Sequence, residues 1–115
     1  MAKTAFVESA GEICSDTDVQ DIALKPKSQT VWRTIQRMAA DTGTTKATLI
    51  DFGAKKGSAI IWFAGQIQSA NYQVVAFSDG VRIPGDWAPF IRVRGGTSGQ
   101  PLTLYIYGYY SDEGP

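Results

Sequence analysis

Histidine is absent from the 115 residues, and with it goes the side chain most used for proton transfer near neutral pH and the commonest ligand of transition metals. Enzymatic activity is therefore not expected, nor is a bound metal or other cofactor. Cysteine occurs once, at Cys14, so no internal disulfide can form and the residue is either a small buried hydrophobe or a free thiol. Charge of either sign in excess is missing too: 11 Lys and Arg face 11 Asp and Glu. Without a net field there is nothing to gather nucleic acid or an anionic membrane, and neither is expected as a partner. No apolar run is long enough for a signal peptide or a membrane span, so the chain is expected to be made in a cytoplasm and to stay soluble. The length suits one domain with a core of its own.

The clearest positive feature is the stretch Phe90 to Tyr110. Its second half alternates strictly, with Leu102, Leu104, Ile106 and Gly108 on one face and Thr103, Tyr105, Tyr107 and Tyr109 on the other, as a strand with one core face requires. In the first half Ile91 and Val93 belong to the aliphatic face, which sends Arg92 and Arg94 the other way. With the Gly/Ser/Pro-rich residues 95 to 101 as the turn, the pattern predicts a β-hairpin. Val93 would lie opposite Leu104 and Arg92 opposite Tyr105, since a one-residue slip would put arginines into the core.

Residues 1 to 27 lack sustained periodicity and read as an extended N-terminal arm. Glu8, Glu12, Asp16, Asp18 and Asp21 fall there in a window without a basic residue, whereas Lys25, Lys27, Arg33, Arg37, Lys46, Lys55 and Lys56 dominate residues 25 to 56; the asymmetry predicts an arm lying on a basic surface. Residues 28 to 40 are ambiguous. Ser28 and the stripe Val31, Trp32, Ile35, Met38, Ala39 fit a capped helix, while Thr30, Val31, Trp32, Thr34 and Ile35 are strand formers; the stripe tips the reading to a short helix. Residues 41 to 45 end that element. Ala47 to Phe52 reads as a strand and 53 to 57 as a turn. Ser58 to Ala64 is apolar on both faces, as in a central covered strand or one in an interface, and is expected to be deeply buried. Asn71 to Ser78 reads as a further strand ended by a turn at Asp79-Gly80, Trp87 as a lid over one end, and 111 to 115 as a flexible tail.

Three motifs fail on the residues or the spacing they require. Asp16-x-Asp18 opens like an EF-hand loop, but its sixth and twelfth positions are Asp21 and Lys27 instead of glycine and glutamate. Gly53 to Ser58 has three residues between its glycines and no lysine before the serine, which a phosphate-binding loop needs. Ser98 lacks the glycine two residues on that a nucleophile elbow requires. What remains is Tyr105, Tyr107 and Tyr109 with Arg92 and Arg94. These residue types are enriched at interface hot spots and also stack on sugars or single strands; alternatively the tyrosines line the inside of a sandwich.

From Gly57 to Tyr110 the rhythm of an apolar strand, Gly-Gln-Ile-Gln-Ser-Ala-Asn-Tyr-Gln-Val-Val-Ala-Phe-Ser-Asp-Gly, a loop with Trp87, Ile-Arg-Val-Arg-Gly-Gly and Leu-Thr-Leu-Tyr-Ile resembles the small β-sandwich virion proteins of tailed bacteriophages, of head decoration, fibre or tail accessory type. The resemblance implies a non-enzymatic virion component that works as a homo-oligomer or in many copies on a shell. The expected fold is an all-β antiparallel sandwich of jelly-roll or Ig-like type over residues 28 to 110. The expected function is capsid decoration, with itself, the major capsid protein or other virion proteins as partners; the alternative is a carbohydrate-binding or host-attachment module of a fibre or tail.

Overall fold

A computed structural model describes residues 3–28, 30–43 and 47–111. Eight strands run in chain order as β1 (Lys3–Ile13), β2 (Gln20–Ala23), β3 (Trp32–Asp41), β4 (Ala47–Lys56), β5 (Ala59–Ala70), β6 (Tyr72–Pro84), β7 (Ala88–Arg94) and β8 (Pro101–Ser111). They form two four-stranded sheets in the orders β1-β8-β3-β6 and β2-β7-β4-β5, with every pairing antiparallel. Eight strands dealt into two sheets in this order make a jelly roll. The chain is an all-β sandwich, as its alternating segments require.

Between the sheets the four inner strands contribute most of the core: Ile35, Met38 and Ala40 from β3, Ile50, Phe52 and Ala54 from β4, Ile91 and Val93 from β7, and Leu102, Leu104 and Ile106 from β8, all buried. The aliphatic faces of β7 and β8 are thus those read from the alternation. Gly108 completes the β8 face because a Cβ there would run into the carbonyl oxygen of Thr34 on the adjacent strand.

Several expectations are corrected. Residues 90 to 110 are not a hairpin: β7 and β8 lie in different sheets, and the residues between them cross the end of the sandwich. Val93 is paired with Gln20 and Ile50, while Leu104 is paired with Ala10 and Ala40. Residues 28 to 40 contain no helix among the described residues; they enter β3, whose strand formers prevail. The helical spacing of its apolar residues comes from a bulge at Gln36, where the register breaks on both ladders. Ile35 faces the core before the bulge and Met38 and Ala40 after it, so the inward spacing becomes three, then two.

The stretch read as an arm supplies β1 and β2. β1 is paired with β8 along its whole length, from Lys3 opposite Ser111 to Ile13 opposite Pro101, and Ile22 and Leu24 are core residues. Two of its five acids do meet basic groups, but inside the domain: Glu8 lies near Lys27 and Arg33, and Asp21 near Lys55 and Arg92. Cys14 is buried. Asp79-Gly80 does not end a strand either. It belongs to an excursion within β6 between Ala76 and Val81, where Gly80 has φ +75° and a Cβ would stand 2.6 Å from Thr34 Cγ2. Residues 44 and 45 of the expected turn and residues 112 to 115 of the expected tail lie outside the described residues.

Ser58 to Ala64 is not deeply buried. β5 is an edge strand, and Ile60, Ile61 and Trp62 are 37%, 45% and 45% exposed. Ile61→Ala is therefore expected to change stability by about 0.5 kcal/mol or less, measured by chemical denaturation. Phe63 should cost more, because it packs against the core and its ring stands edge-on to Phe77 at 5.8 Å. Equal costs at both positions would contradict the edge placement.

Candidate functional site

Because β7 and β8 belong to opposite sheets, the five residues read as one surface are divided between the two outer faces. Tyr105, Tyr107 and Tyr109 do point away from the core, on the β1-β8-β3-β6 sheet. Register places Val7 and Arg37 on either side of Tyr107, and Ser9 and Ala39 on either side of Tyr105. One strand further, Ala76 lies beside Arg37, Val74 beside Ala39 and Tyr72 beside Asp41. The guanidinium of Arg37 sits 5.1 Å from the Tyr107 ring centroid, within cation–π range. Burial and a hydrogen bond with Tyr107 raise the Tyr72 pKa above its ordinary value, linking two strands that are not adjacent. Val7, Tyr72 and Val74 are 67%, 45% and 40% exposed, so an apolar and aromatic patch extends from β1 across to β6.

Arg92 and Arg94 lie on the outer face of the other sheet. Arg92 makes a two-pronged contact with Asp21 across the β2–β7 ladder, Nε to Oδ1 at 2.8 Å and an Nη to Oδ2 at 3.0 Å. Lys55 reaches the same carboxylate at 3.2 Å. Burial alone would push Asp21 up, but the hydrogen bonds from Arg92 and Lys55 outweigh it and hold the carboxyl below its ordinary value; the Asp21 bond correspondingly raises Arg92. Arg94 donates to Asp51 at 2.5 Å. Beside these pairs stand Trp62 and Phe90, ring centroids 5.3 Å apart, with the Arg92 guanidinium 5.2 Å from the Trp62 ring and Lys55 Nζ 4.8 Å from that of Phe90.

Trp62 and Asp51 carry no signal of their own in the sequence. Trp62 falls in a run that reads as core, and Asp51 in a strand recognised by its apolar neighbours; only the register of β4 with β5 and β7 assembles them. The acidic pair and the Gly53 to Ser58 turn that fail as motifs have structural roles instead. Asp16 Oδ1 accepts from the backbone N–H groups of Asp18 and Val19, and Lys56 at the β4–β5 turn meets Asp86 at 2.7 Å. Among the described residues no three His, Cys, Asp or Glu side chains converge as metal ligands, and no helix is long and apolar enough to cross a membrane.

No family model and no curated protein matches the chain. Among solved structures it is similar to a chain of the virus-like particle of giant freshwater prawn Macrobrachium rosenbergii extra small virus, with 9% identity, TM-score 0.46, and coverage of 99% of this chain and 82% of that one. It is also similar to the family 32 CBM of C. perfringens NanJ, solved in complex with galactose, with 12% identity, TM-score 0.43, and coverage of 92% and 99%. At these identities neither residue roles nor an activity passes from those structures to this chain.

Proposed function

We propose that this protein is a non-enzymatic structural subunit of a virion that works by self-association, and more specifically a bacteriophage capsid decoration protein. The observation that carries the reading is the outward tyrosine face. Four strands present Val7, Tyr107, Arg37, Val74 and Tyr72 as one patch, with Val7, Tyr72 and Val74 substantially exposed, and contiguous patches of this kind mark interaction surfaces. Tyrosine and arginine are the residue types that carry binding energy at such surfaces. An outward sheet face lends itself to symmetric packing against another copy, the commonest form of oligomer. The eight-strand jelly roll supports the virion reading because viral shells are among its habitual uses, and the strand-and-turn rhythm of residues 57 to 110 supports the bacteriophage reading. The exposed edge strand β5 offers a second contact for a neighbour, since apolar unpaired edges promote association.

Tyr107→Ser tests the reading. The wild-type chain is expected to sediment as a homo-oligomer, and the variant as a folded monomer, because Leu102, Leu104 and Ile106 on the opposite face of β8 are untouched. A wild-type chain that stays monomeric at all concentrations, or a variant that keeps its full assembly, would overturn it.

A further inference from the structure

We propose that the depression on the outer face of the β2-β7-β4-β5 sheet, formed by Asp51, Trp62, Gly65 and Arg94, binds a neutral hexopyranose residue of a glycan. The depression is open to solvent and has a volume of about 440 Å³, comparable with small-molecule sites. It lies on the face opposite the tyrosines, in the other sheet, so a change at Tyr107 does not touch it.

The site is built before any ligand arrives. A Cβ at Gly53 would collide with the carbonyl of Ile61 and stand 3.2 Å from Trp62 Cε3, so the bare backbone of β4 is what lets the indole lie down on the sheet. Phe90 and the guanidinium of Arg92 flank it. The ring is held on several sides and still nearly half exposed, which spares a ligand the entropy of ordering it. Gly65 repeats the device beside the acid: a Cβ there would stand 3.2 Å from Asp51 Oδ1, and its absence keeps the carboxylate reachable. The Asp51 side chain is only 9% exposed, while its partner Arg94 is 42% exposed.

The chemistry selects a neutral polyol. Asp51 is paired with Arg94, and Asp21 with both Arg92 and Lys55, so a charged ligand would compete with pairs already made, and a nucleic acid would bring phosphates against two carboxylates. A sugar hydroxyl both donates and accepts. One vicinal pair can donate to Asp51 and accept from Arg94 in charge-assisted hydrogen bonds without separating them, while the C–H face of the ring covers apolar indole. A second depression of about 420 Å³, lined by Val19, Asp21, Arg92 and Arg94, adjoins the first through Arg94, which gives the next sugar of a chain a place on the same face.

The test is an NMR titration of the isotope-labelled full chain with the methyl glycosides of glucose, galactose and mannose, followed by a glycan array. The Trp62 indole N–H signal, identified by its loss in Trp62→Phe, should shift saturably with at least one glycoside at a dissociation constant on the order of 1 mM. Trp62→Ala and Gly65→Val should each weaken binding by about tenfold or more, and Tyr107→Ser should leave it unchanged. Gly65→Val, at an exposed position of an edge strand, keeps the test open if removing the indole disturbs the sheet. No saturable shift with any glycoside together with a blank array, a response to inorganic phosphate instead of sugar, or unaltered binding in Gly65→Val would each overturn the proposal.

Discussion

Arg33→Ala is expected to lower the free energy of unfolding by about 3–5 kcal/mol, the usual cost of removing one partner from a buried charged network. Arg33 is fully buried and is the largest side chain so placed among the described residues. Its guanidinium donates to the carbonyls of Trp87 at 3.0 Å, Gly85 at 3.3 Å and Lys25 at 2.9 Å, and its Nε stands 3.6 Å from Glu8 Oε1. Lys25 follows β2 and Trp87 precedes β7, so one planar group ties two interstrand connections together at one end of the sandwich. Tyr110 closes the cluster. Its hydroxyl donates to Glu8 Oε1, its ring lies 4.3 Å from that of Phe6, and burial together with the Glu8 contact pushes its pKa up to about 12. Truncation would take the guanidinium donors from the carbonyls of Lys25 and Trp87 at once and leave Glu8 with Tyr110 and Lys27 alone. At an m-value of about 2 kcal/mol per molar urea, the midpoint should fall by about 2 M. Arg33→Lys should recover only part of the loss, since a single ammonium cannot reproduce the fork. An alanine variant with an unchanged midpoint would show that water replaces the network at no cost.

Removing residues 1 to 24 is expected to abolish cooperative folding. The deletion takes away one edge strand from each sheet, which leaves the ladders of β8 and β7 open on one side. It also removes Ile22 and Leu24 from the core and Cys14 from beside Gly96. Each large aliphatic side chain contributes about 1.5–3 kcal/mol of burial, and Arg33 and Arg92 would lose Glu8 and Asp21. Set against a total stability of about 5–15 kcal/mol, little would remain. Thermal unfolding followed by circular dichroism should show no sigmoidal transition in the truncated chain. A well-folded truncated domain would restore the separate arm expected from the sequence.

What the sequence made legible was local. Alternation told which residues of β7 and β8 face inward, and it was right for Ile91, Val93, Leu102, Leu104 and Ile106, because the direction of a strand side chain depends only on its own backbone. Partner strands are a different matter. A seven-residue Gly/Ser/Pro loop reads the same whether it turns a hairpin or crosses between sheets, so Arg92 and Arg94 were set beside tyrosines that belong to the opposite face. At β3 a single bulged residue imitated helical spacing. At β5 an apolar run reads as interior, because hydropathy cannot distinguish a strand covered by its own chain from one at a sheet edge. Arg33 reads as a surface base because charge gives no sign of burial; its burial depends on carbonyls supplied from residues 25, 85 and 87. Trp62, Gly65 and Asp51 come together only through the β4–β5 register and carry no motif in the chain.

The pairing of β1 with β8 also governs the order in which the molecule can be made. Lys3 must wait for Ser111 and Ile13 for Pro101, so on a ribosome the first strand emerges about a hundred residues ahead of its ladder partner β8, at a synthesis rate of about 5–20 residues per second. For several seconds Phe6 and Ala10, which pack against the core in the finished fold, have no native place to go. Sheet formation dominated by such distant pairs is slow, in the millisecond-to-second range even for a complete chain. Nascent chains paused before β8 should therefore be protease-sensitive throughout and prone to premature contact with one another, with protection appearing in a single late step once residues 101 to 111 are free.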